Sequence, residues 1–405
     1  DNQSIGLLSH IKKRLPYGMD DQWMVFSHYT ERGWTVDNLW HIFTDFYGGQ
    51  YAPLAFLSYL VLYAGFGYDP FYFHMFSLLL HIGCVCLVWK LISSLLRVHG
   101  GVSEKQILYV NFITTLLFAV HPINVEAVAW ISALKVLLYA FFYLLGLLCY
   151  LRYIRTSKIF YYVLTIGCFL CSFWGKEQAV TFPLALLIVD WFTNRNMKNL
   201  EVWSEKMSFL IMAFFFGIIT VLSQGKGPYE MIFPLYQRLL FGCFALVEYI
   251  TKSLLPVNLN FFYPFPIVLG EEPPLHYYLY PVVLLFLMGW IIAYRNNRYL
   301  VFGVLLFLVN LLFSIHLFNM SRHAIVADRY MYLSYVGIAF LIANGIWWLR
   351  KRLSYFKAAL VFLFFYCFFL SVYTFHYTKK RENTTMVKKY TKEVLEKRLN
   401  GSNHL

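Results

Sequence analysis

Long apolar runs alternate with short polar segments along most of this chain. A membrane-crossing helix needs roughly 20 apolar residues. On that measure about ten spans are predicted, at 71–96, 107–120, 134–151, 159–174, 179–193, 208–223, 276–294, 299–317, 330–349 and 357–375. The 107–120 and 179–193 segments are short and are expected to extend a turn or two into their loops. Residues 1–50 hold no such run and read as a loop with short surface helices. Tyr51–Phe66 is apolar but short, and Gly65–Pro70 stops it, so an interfacial helix is predicted there. Tyr236–Leu255 is amphipathic and is expected to lie along the membrane surface. The stretch Pro256–Pro266 that follows is too rich in proline for a span. Lys379–Arg398 is basic and amphipathic, which predicts a short helix. The chain thus divides into a first external loop, 1–70, a transmembrane bundle, 71–375, containing an external loop at 224–275, and a short basic external tail, 376–405.

The polar segments are of two kinds, and they alternate. Arg97–Lys105, Arg152–Lys158, Arg195–Lys206, Arg295–Arg298 and Arg350–Arg352 are basic turns. Short basic loops stay in the cytoplasm, so these mark the inner face. The other set carries acids, histidines and aromatics: Asp20-Asp21, His121-Pro-Ile-Asn-Val-Glu126, Lys176-Glu177, residues 224–275 and Arg322-His323…Asp328-Arg329. The alternation places all of these outside. The first loop then faces outside with no span before it, so a first span is expected upstream of residue 1 or removed from it. No secretory signal with a cleavage site is legible at the start.

Composition agrees with an all-α polytopic membrane protein. The 405 residues are 60% apolar and only 14% charged, where soluble domains carry about 25% charged residues. A net charge of +13 would suggest nucleic acid in a soluble protein. Here basic turns and tail account for much of it, and no nucleic-acid partner is implied. All seven cysteines lie in apolar stretches, and Cys168-Phe-Leu-Cys171 reads as two small packing residues. No third ligand stands at a suitable spacing from His121 and Glu126 for zinc. No soluble cofactor is required, and a divalent metal remains compatible with the sequence.

Several motifs occur in order. They are Asp20-Asp21, Tyr51-Ala-Pro-Leu54, Tyr68-Asp-Pro-Phe71…His74…His81, and His121-Pro-Ile-Asn-Val-Glu126-Ala-Val-Ala-Trp-Ile-Ser132. Gly175-Lys-Glu177-Gln-Ala-Val-Thr-Phe-Pro183…Asp190-Trp191, Leu255-Pro-Val-Asn-Leu259…Tyr263-Pro-Phe-Pro266 and Val326-Ala-Asp328-Arg-Tyr-Met-Tyr-Leu333…Gly337 follow. Over about residues 20–375 this series resembles the cadherin-targeting type of transmembrane protein O-mannosyltransferases and their bacterial relatives. The resemblance implies the C-type membrane glycosyltransferase (GT-C) fold. It also implies transfer of a sugar from a polyprenyl phosphate to an acceptor on the non-cytoplasmic side, with an acid of the first external loop as base. Three departures stand out. Leu134-Lys135-Val136 occupies the place of an Arg-Lys-Asp-like triplet, Ser334 the place of an expected proline, and no tetratricopeptide repeats follow the last span.

The candidate residues follow from the chemistry such a transfer needs. A carboxylate must reach the acceptor proton, which makes Asp20 the base and Asp21 its orienter; the alternative for either is a helix N-cap. Glu126 either contacts acceptor or sugar, or satisfies its own loop together with His121. A lipid phosphate needs cations. Arg329 and Arg322 lead for that role, with His323 and Lys176 beside them and Asp328 restraining Arg329. Glu177 is the neighbour of Lys176, the alternative for the two being an ion pair that ties two spans together, and Lys135 is what remains of the altered triplet. His74, His81, His316, Asp190 and Glu248 read as packing or interhelical hydrogen-bonding groups.

The function expected is a polyprenyl-phosphate-sugar-dependent glycosyltransferase acting on a secreted or membrane protein (Ser/Thr) or a glycan. The alternative is a non-catalytic scaffold of the same fold, or a subunit of a membrane-protein complex, which Leu134 and Val136 favour. A transporter ranks last, since no internal repeat or broken midplane site is legible. A bacterial inner membrane, with the site facing the periplasm, is expected ahead of the ER membrane.

Overall fold

The computed structural model describes residues 21–224, 233–260, 262–316 and 324–381, without the side chains of Asp21, Gln22, Gln224 and Arg381. Asp20, Arg322, His323 and most of the tail helix expected at Lys379–Arg398 therefore lie outside the described residues, as does the Asp21 side chain.

The first loop forms α1 (Asp21–Met24), α2 (His28–Glu31), α3 (Val36–Thr44) and α4 (Pro53–Phe66). The chain continues through α5 (Pro70–His99), α6 (Glu104–Val120), α7 (Val125–Ala129), α8 (Leu134–Thr156), α9 (Ile159–Gly175), α10 (Phe182–Phe192) and α11 (Leu200–Gln224). It ends with α12 (Leu235–Leu254), α13 (Leu279–Ala293), α14 (Arg298–Leu311), α15 (Met331–Trp348) and α16 (Leu353–Arg381). Cap residues set several of these starts. Pro70 opens α5 behind Asp69, whose side chain accepts from Phe71 N–H at 3.0 Å, and Ser103 accepts from Gln106 N–H at 3.2 Å ahead of α6.

A helix occupies every segment predicted as a span. Among the described residues, six helical segments are long and apolar enough to cross a membrane: Pro70–His99, Ile131–Thr156, Leu200–Ser223, Leu275–Ala293, Asp328–Lys351 and Leu353–Lys380. Glu104–Val120 with Pro122–Ala129 makes a seventh if that pair, bent by 50°, is one span. Pro53–Phe66, Ile159–Gly175 and Arg298–Leu311 are apolar but shorter. The protein is all-α in its architecture and polytopic. The bend falls at His121-Pro122, where proline has no N–H to donate and the His121 ring accepts from Ile123 N–H at 3.2 Å.

Ile131–Thr156 has 78% of its most apolar window buried and forms the centre, whereas Leu275–Ala293 has 6% and faces outward. α8 packs against α5 and α9, and α15 against α6 and α14. The α14–α15 contact is a backbone approach: a Cβ on Gly337 would lie 2.5 Å from the Gly303 carbonyl oxygen. His81 on α5 meets the Tyr332 hydroxyl on α15 at 2.7 Å, an interhelical bond of the kind the sequence suggested. α12 forms where amphipathicity predicts it, and its Phe241, Ala245 and Tyr249 are buried in the main core.

The end of the bundle carrying the basic turn 195–206 is held by charges. Asp190 and Lys206, both fully buried, are paired with each other, and the Tyr150 hydroxyl lies between them at 2.8 Å from Asp190. Arg195 closes the group, 3.2 Å from Asp190 Oδ1 and, through its second nitrogen, 2.9 Å from Glu205 Oε1. Every charge there is compensated, as burial requires.

At the other end, the first loop is docked on the bundle. Met24, Val25, Tyr29, Phe56 and Tyr59 share one apolar cluster with Ile131, Leu134 and Leu138. Tyr59 donates to the Ile131 carbonyl at 2.9 Å. Two short strands, not anticipated in the sequence, complete this end: β1 (Tyr263–Pro264) pairs antiparallel with β2 (Ala324–Val326), Tyr263 opposite Val326. The prolines around β1 hold that stretch extended, and the pairing fixes it beside the turn at 328–330.

Candidate functional site

Glu126 lies in α7, just past the bend, and is 2% exposed. Its Oε1 accepts from the Arg329 guanidinium at 2.7 Å and its Oε2 from the Arg329 backbone N–H at 2.7 Å. The carboxylate that restrains Arg329 is thus Glu126 of another loop, where the sequence had suggested the adjacent Asp328. The Arg329 guanidinium also stands 5.2 Å from the Trp130 ring centroid and 5.0 Å from that of Tyr330.

Asp328, fully buried, serves a different group. Tyr263 donates to its two oxygens at 3.1 and 3.2 Å, Tyr377 to Oδ2 at 3.5 Å, and the Lys252 ammonium lies 3.9 Å from Oδ1. Lys252 is also 3.4 Å from Glu248 and 3.4 Å from the Tyr263 ring centroid. Burial and the Asp328 carboxylate push the Tyr263 phenol well above its ordinary value, so it stays a donor. Asp328 therefore anchors α12, β1 and α16 to the 328–330 turn.

Lys176 is placed by Gly175. A Cβ at Gly175 would lie 2.7 Å from the Tyr139 backbone nitrogen, so only glycine lets the end of α9 come this close to α8. The backbone then becomes extended at Lys176 (φ −160°, ψ 143°) before the 3₁₀ turn Glu177–Thr181. Lys176 is 3% exposed, and its ammonium has no hydrogen-bond partner among the described residues. It stands 4.7 Å from the Tyr330 ring centroid, so Tyr330 is shared by Lys176 and Arg329. Burial pushes its pKa down to about 8; Glu177 and Tyr330 pull it up, and Arg329 and Lys135 push it further down.

Lys135 points toward the first loop, 2.5 Å from Gln50 Oε1 and 3.6 Å from Met24 Sδ, next to the α1 turn. Its neighbours Leu134 and Val136 are each 1% exposed in apolar clusters. His121 packs its ring on Tyr335 at 4.2 Å and caps its own loop. Glu177 is half-buried and no partner contacts its carboxylate among the described residues.

Of the candidates read from the sequence, Glu126, Lys176, Glu177, Asp328, Arg329, His121 and Lys135 thus converge at one end of the bundle, from loops far apart in the chain. Asp20, Arg322, His323 and the Asp21 side chain fall outside the described residues. Lys252, Tyr263, Trp130, Tyr330 and Gln50 were not singled out. Lys252 carried a legible signal, a cation on the buried face of α12, which is otherwise uncharged. No group of three or more His, Cys, Asp or Glu is arranged to hold a metal ion among the described residues. What the site offers chemically is a buried ammonium, backed by further cations and two aromatic rings, with acids close by.

Fold and site define a multi-pass membrane protein with a cluster of cations and aromatic rings built by its inter-span loops. Its sequence is similar to protein O-mannosyl-transferase TMTC2 of Mus musculus, 32% identical over 189 residues, which is 42% of this chain and 21% of that protein. It is similar to TMTC2 of Homo sapiens, 33% identical over 189 residues, with the same coverage of 42% and 21%. Tmtc3 of Drosophila melanogaster is 28% identical over 172 residues, 38% of this chain and 18% of that protein. The chain spans about a fifth of the length of these curated relatives. The family resemblance read from the motifs is the one these relatives carry. No family model matches the chain, and no solved structure matches it.

Proposed function

We propose that this protein is a membrane glycosyltransferase that moves a sugar, mannose by analogy with its relatives, from a polyprenyl phosphate to a protein hydroxyl. The observation that carries the reading is Lys176: a buried ammonium without a hydrogen-bond partner, with the Arg329 and Lys135 cations near enough to lower its pKa. Such a group is costly unless an anion reaches it. A phosphodiester that arrives laterally from the bilayer fits that requirement. In this reading Lys176 receives the donor phosphate and Arg329 adds field from its tie to Glu126. Asp20 takes the acceptor proton as the hydroxyl oxygen attacks the anomeric carbon, and the lipid phosphate departs with the bonding electrons. Lys135, which donates to Gln50, holds the first loop to the bundle.

The ten apolar helices are taken as spans in a GT-C-type bundle, and the alternating basic turns put the cluster on the non-cytoplasmic face. A second reading is favoured by one observation. Leu134 and Val136 fill apolar clusters where the family pattern has charged residues, as a non-catalytic scaffold of this fold would allow. Incubating the purified protein with polyprenyl-phosphate mannose and a Ser/Thr-rich peptide separates the two. Transfer of mannose supports the enzyme, and donor binding without transfer supports the scaffold.

A further inference from the structure

Glu177 differs from the other described carboxylates. Each of those has a partner: Glu31 holds Tyr68, Asp45 holds Tyr29, Asp69 caps α5, Glu126 holds Arg329, Glu248 holds Lys252, Glu271 accepts from Val268 N–H and Glu272 from Tyr236. Glu177 has none among the described residues, although it is half-buried. The residue before it is Lys176, the buried ammonium that also lacks a hydrogen-bond partner. Two adjacent side chains of opposite charge, neither hydrogen-bonded to a side chain and with no ion pair between them, are an unusual arrangement for a structural turn. They are what a ligand with two chemically different ends would need. The backbone is extended at Lys176 and enters the 3₁₀ turn at Glu177, so the two groups stand at a change of backbone direction and can address different parts of such a ligand.

The chemistry of each group selects its part. A carboxylate repels a phosphate and accepts hydrogen bonds only, and its two oxygens match a pair of neighbouring hydroxyls. In a polyprenyl-phosphate sugar those hydroxyls are one ring removed from the phosphate. We propose that Glu177 is the sugar-recognising residue of the site, accepting hydrogen bonds from hydroxyls of the donor's hexose while its phosphate lies on Lys176. This rests on the reading of Lys176 as the phosphate seat, and it names the sugar ring, rather than the lipid or the acceptor, as what Glu177 reads.

The test compares two lipids on the full chain in detergent, by the change in its intrinsic fluorescence: a polyprenyl phosphate without sugar, and the same lipid carrying mannose. Thermal unfolding is followed in parallel. Glu177→Gln keeps shape and removes a charge that makes no hydrogen bond or ion pair among the described residues, so its unfolding midpoint should match wild type. At about pH 6.5, where Lys176 stays an ammonium without the help of Glu177, its affinity for the sugar-free lipid should be unchanged, and its affinity for the mannosyl lipid should fall about tenfold or more, the loss expected for charged hydrogen bonds to hydroxyls. Glu177→Asp should fall between the two. An equal loss for both lipids, or none for the mannosyl lipid, overturns the proposal. So does a variant that binds both lipids normally but transfers sugar slowly, which would put Glu177 on the acceptor side. Wild-type protein that binds neither lipid would instead remove the phosphate seat itself, and the sugar reading with it.

Discussion

Glu126 and Arg329, 203 positions apart, are joined twice, by a guanidinium contact of 2.7 Å and by the Arg329 backbone N–H at 2.7 Å. The second bond fixes the turn 328–330 as well as the side chain, so the pair couples the bend after α6 to the entry into α15. Removing one member of a buried pair costs about 3–5 kcal/mol, because the other charge is left uncompensated. Arg329→Met should therefore lower stability by about that amount, and Glu126→Gln should restore much of it in the double variant. A thermal-unfolding cycle in detergent measures this. Additive losses would show that the two residues are not energetically coupled.

Lys176→Met should behave in the opposite way. The substitution removes a buried charge that has no hydrogen bond, so stability should hold or rise by about 1–3 kcal/mol at neutral pH, one pKa unit being about 1.4 kcal/mol. Affinity for polyprenyl-phosphate mannose should fall about ten- to hundredfold. Titration of the lipid into both proteins, beside their melting curves, checks the pair of signs. Loss of stability without loss of lipid binding would make Lys176 a structural residue.

The pH dependence follows from the same group. Its pKa is lowered from 10.5 to about 8 by burial, so between those values the folded state binds fewer protons than the unfolded state. The contribution of Lys176 to stability therefore rises with pH across that window. Donor affinity should do the reverse, flat below about pH 7.5 and falling above about pH 8 as the ammonium is lost. A sugar phosphodiester has no titrating group in this range, so the lipid does not add to the profile. Binding measured from pH 6.5 to 9.5 should show the fall in wild type and lose it in Lys176→Met.

The apolar helices were legible because a run of this length has few other uses, and a helix is found at each predicted segment. Among the described residues six helical segments, or seven with the bent pair, are long and apolar enough to cross a membrane. The loops were legible as a set, since their charged and aromatic motifs are separated by recognisable turns. What the sequence did not disclose was the pairing of charges. Asp328 and Arg329 are adjacent and look like partners, but one faces Tyr263, Tyr377 and Lys252 while the other faces Glu126. Pairing is set by contacts between residues 49 to 203 positions apart, and the β1–β2 pairing that brings Tyr263 to Asp328 is two to three residues long, too short to show as a pattern. Gly175 stood in a motif, yet the reason for it appears only in the approach of α9 to the backbone of Tyr139.

The buried charges at the opposite end offer a structural counterpart to Lys176. Asp190 and Lys206 are compensated on all sides, so Lys206→Met should cost about 3–5 kcal/mol while the affinity of whatever remains folded for the donor lipid stays as in wild type. Melting curves and lipid titrations on the same sample decide it. A variant of normal stability and impaired lipid binding would move the site to this end.

The central claim is that the cluster around Lys176 uses a lipid-borne sugar phosphate for transfer, with the first-loop acid Asp20 as base. Sugar transfer by the purified protein from polyprenyl-phosphate mannose to a Ser/Thr peptide, followed by mass of the product, tests it most directly. Wild type should glycosylate the peptide, and Asp20→Asn should lose at least about 10²-fold while still binding the donor. An inert wild type that binds the lipid, or an Asp20→Asn variant that transfers mannose at the wild-type rate, would contradict the account.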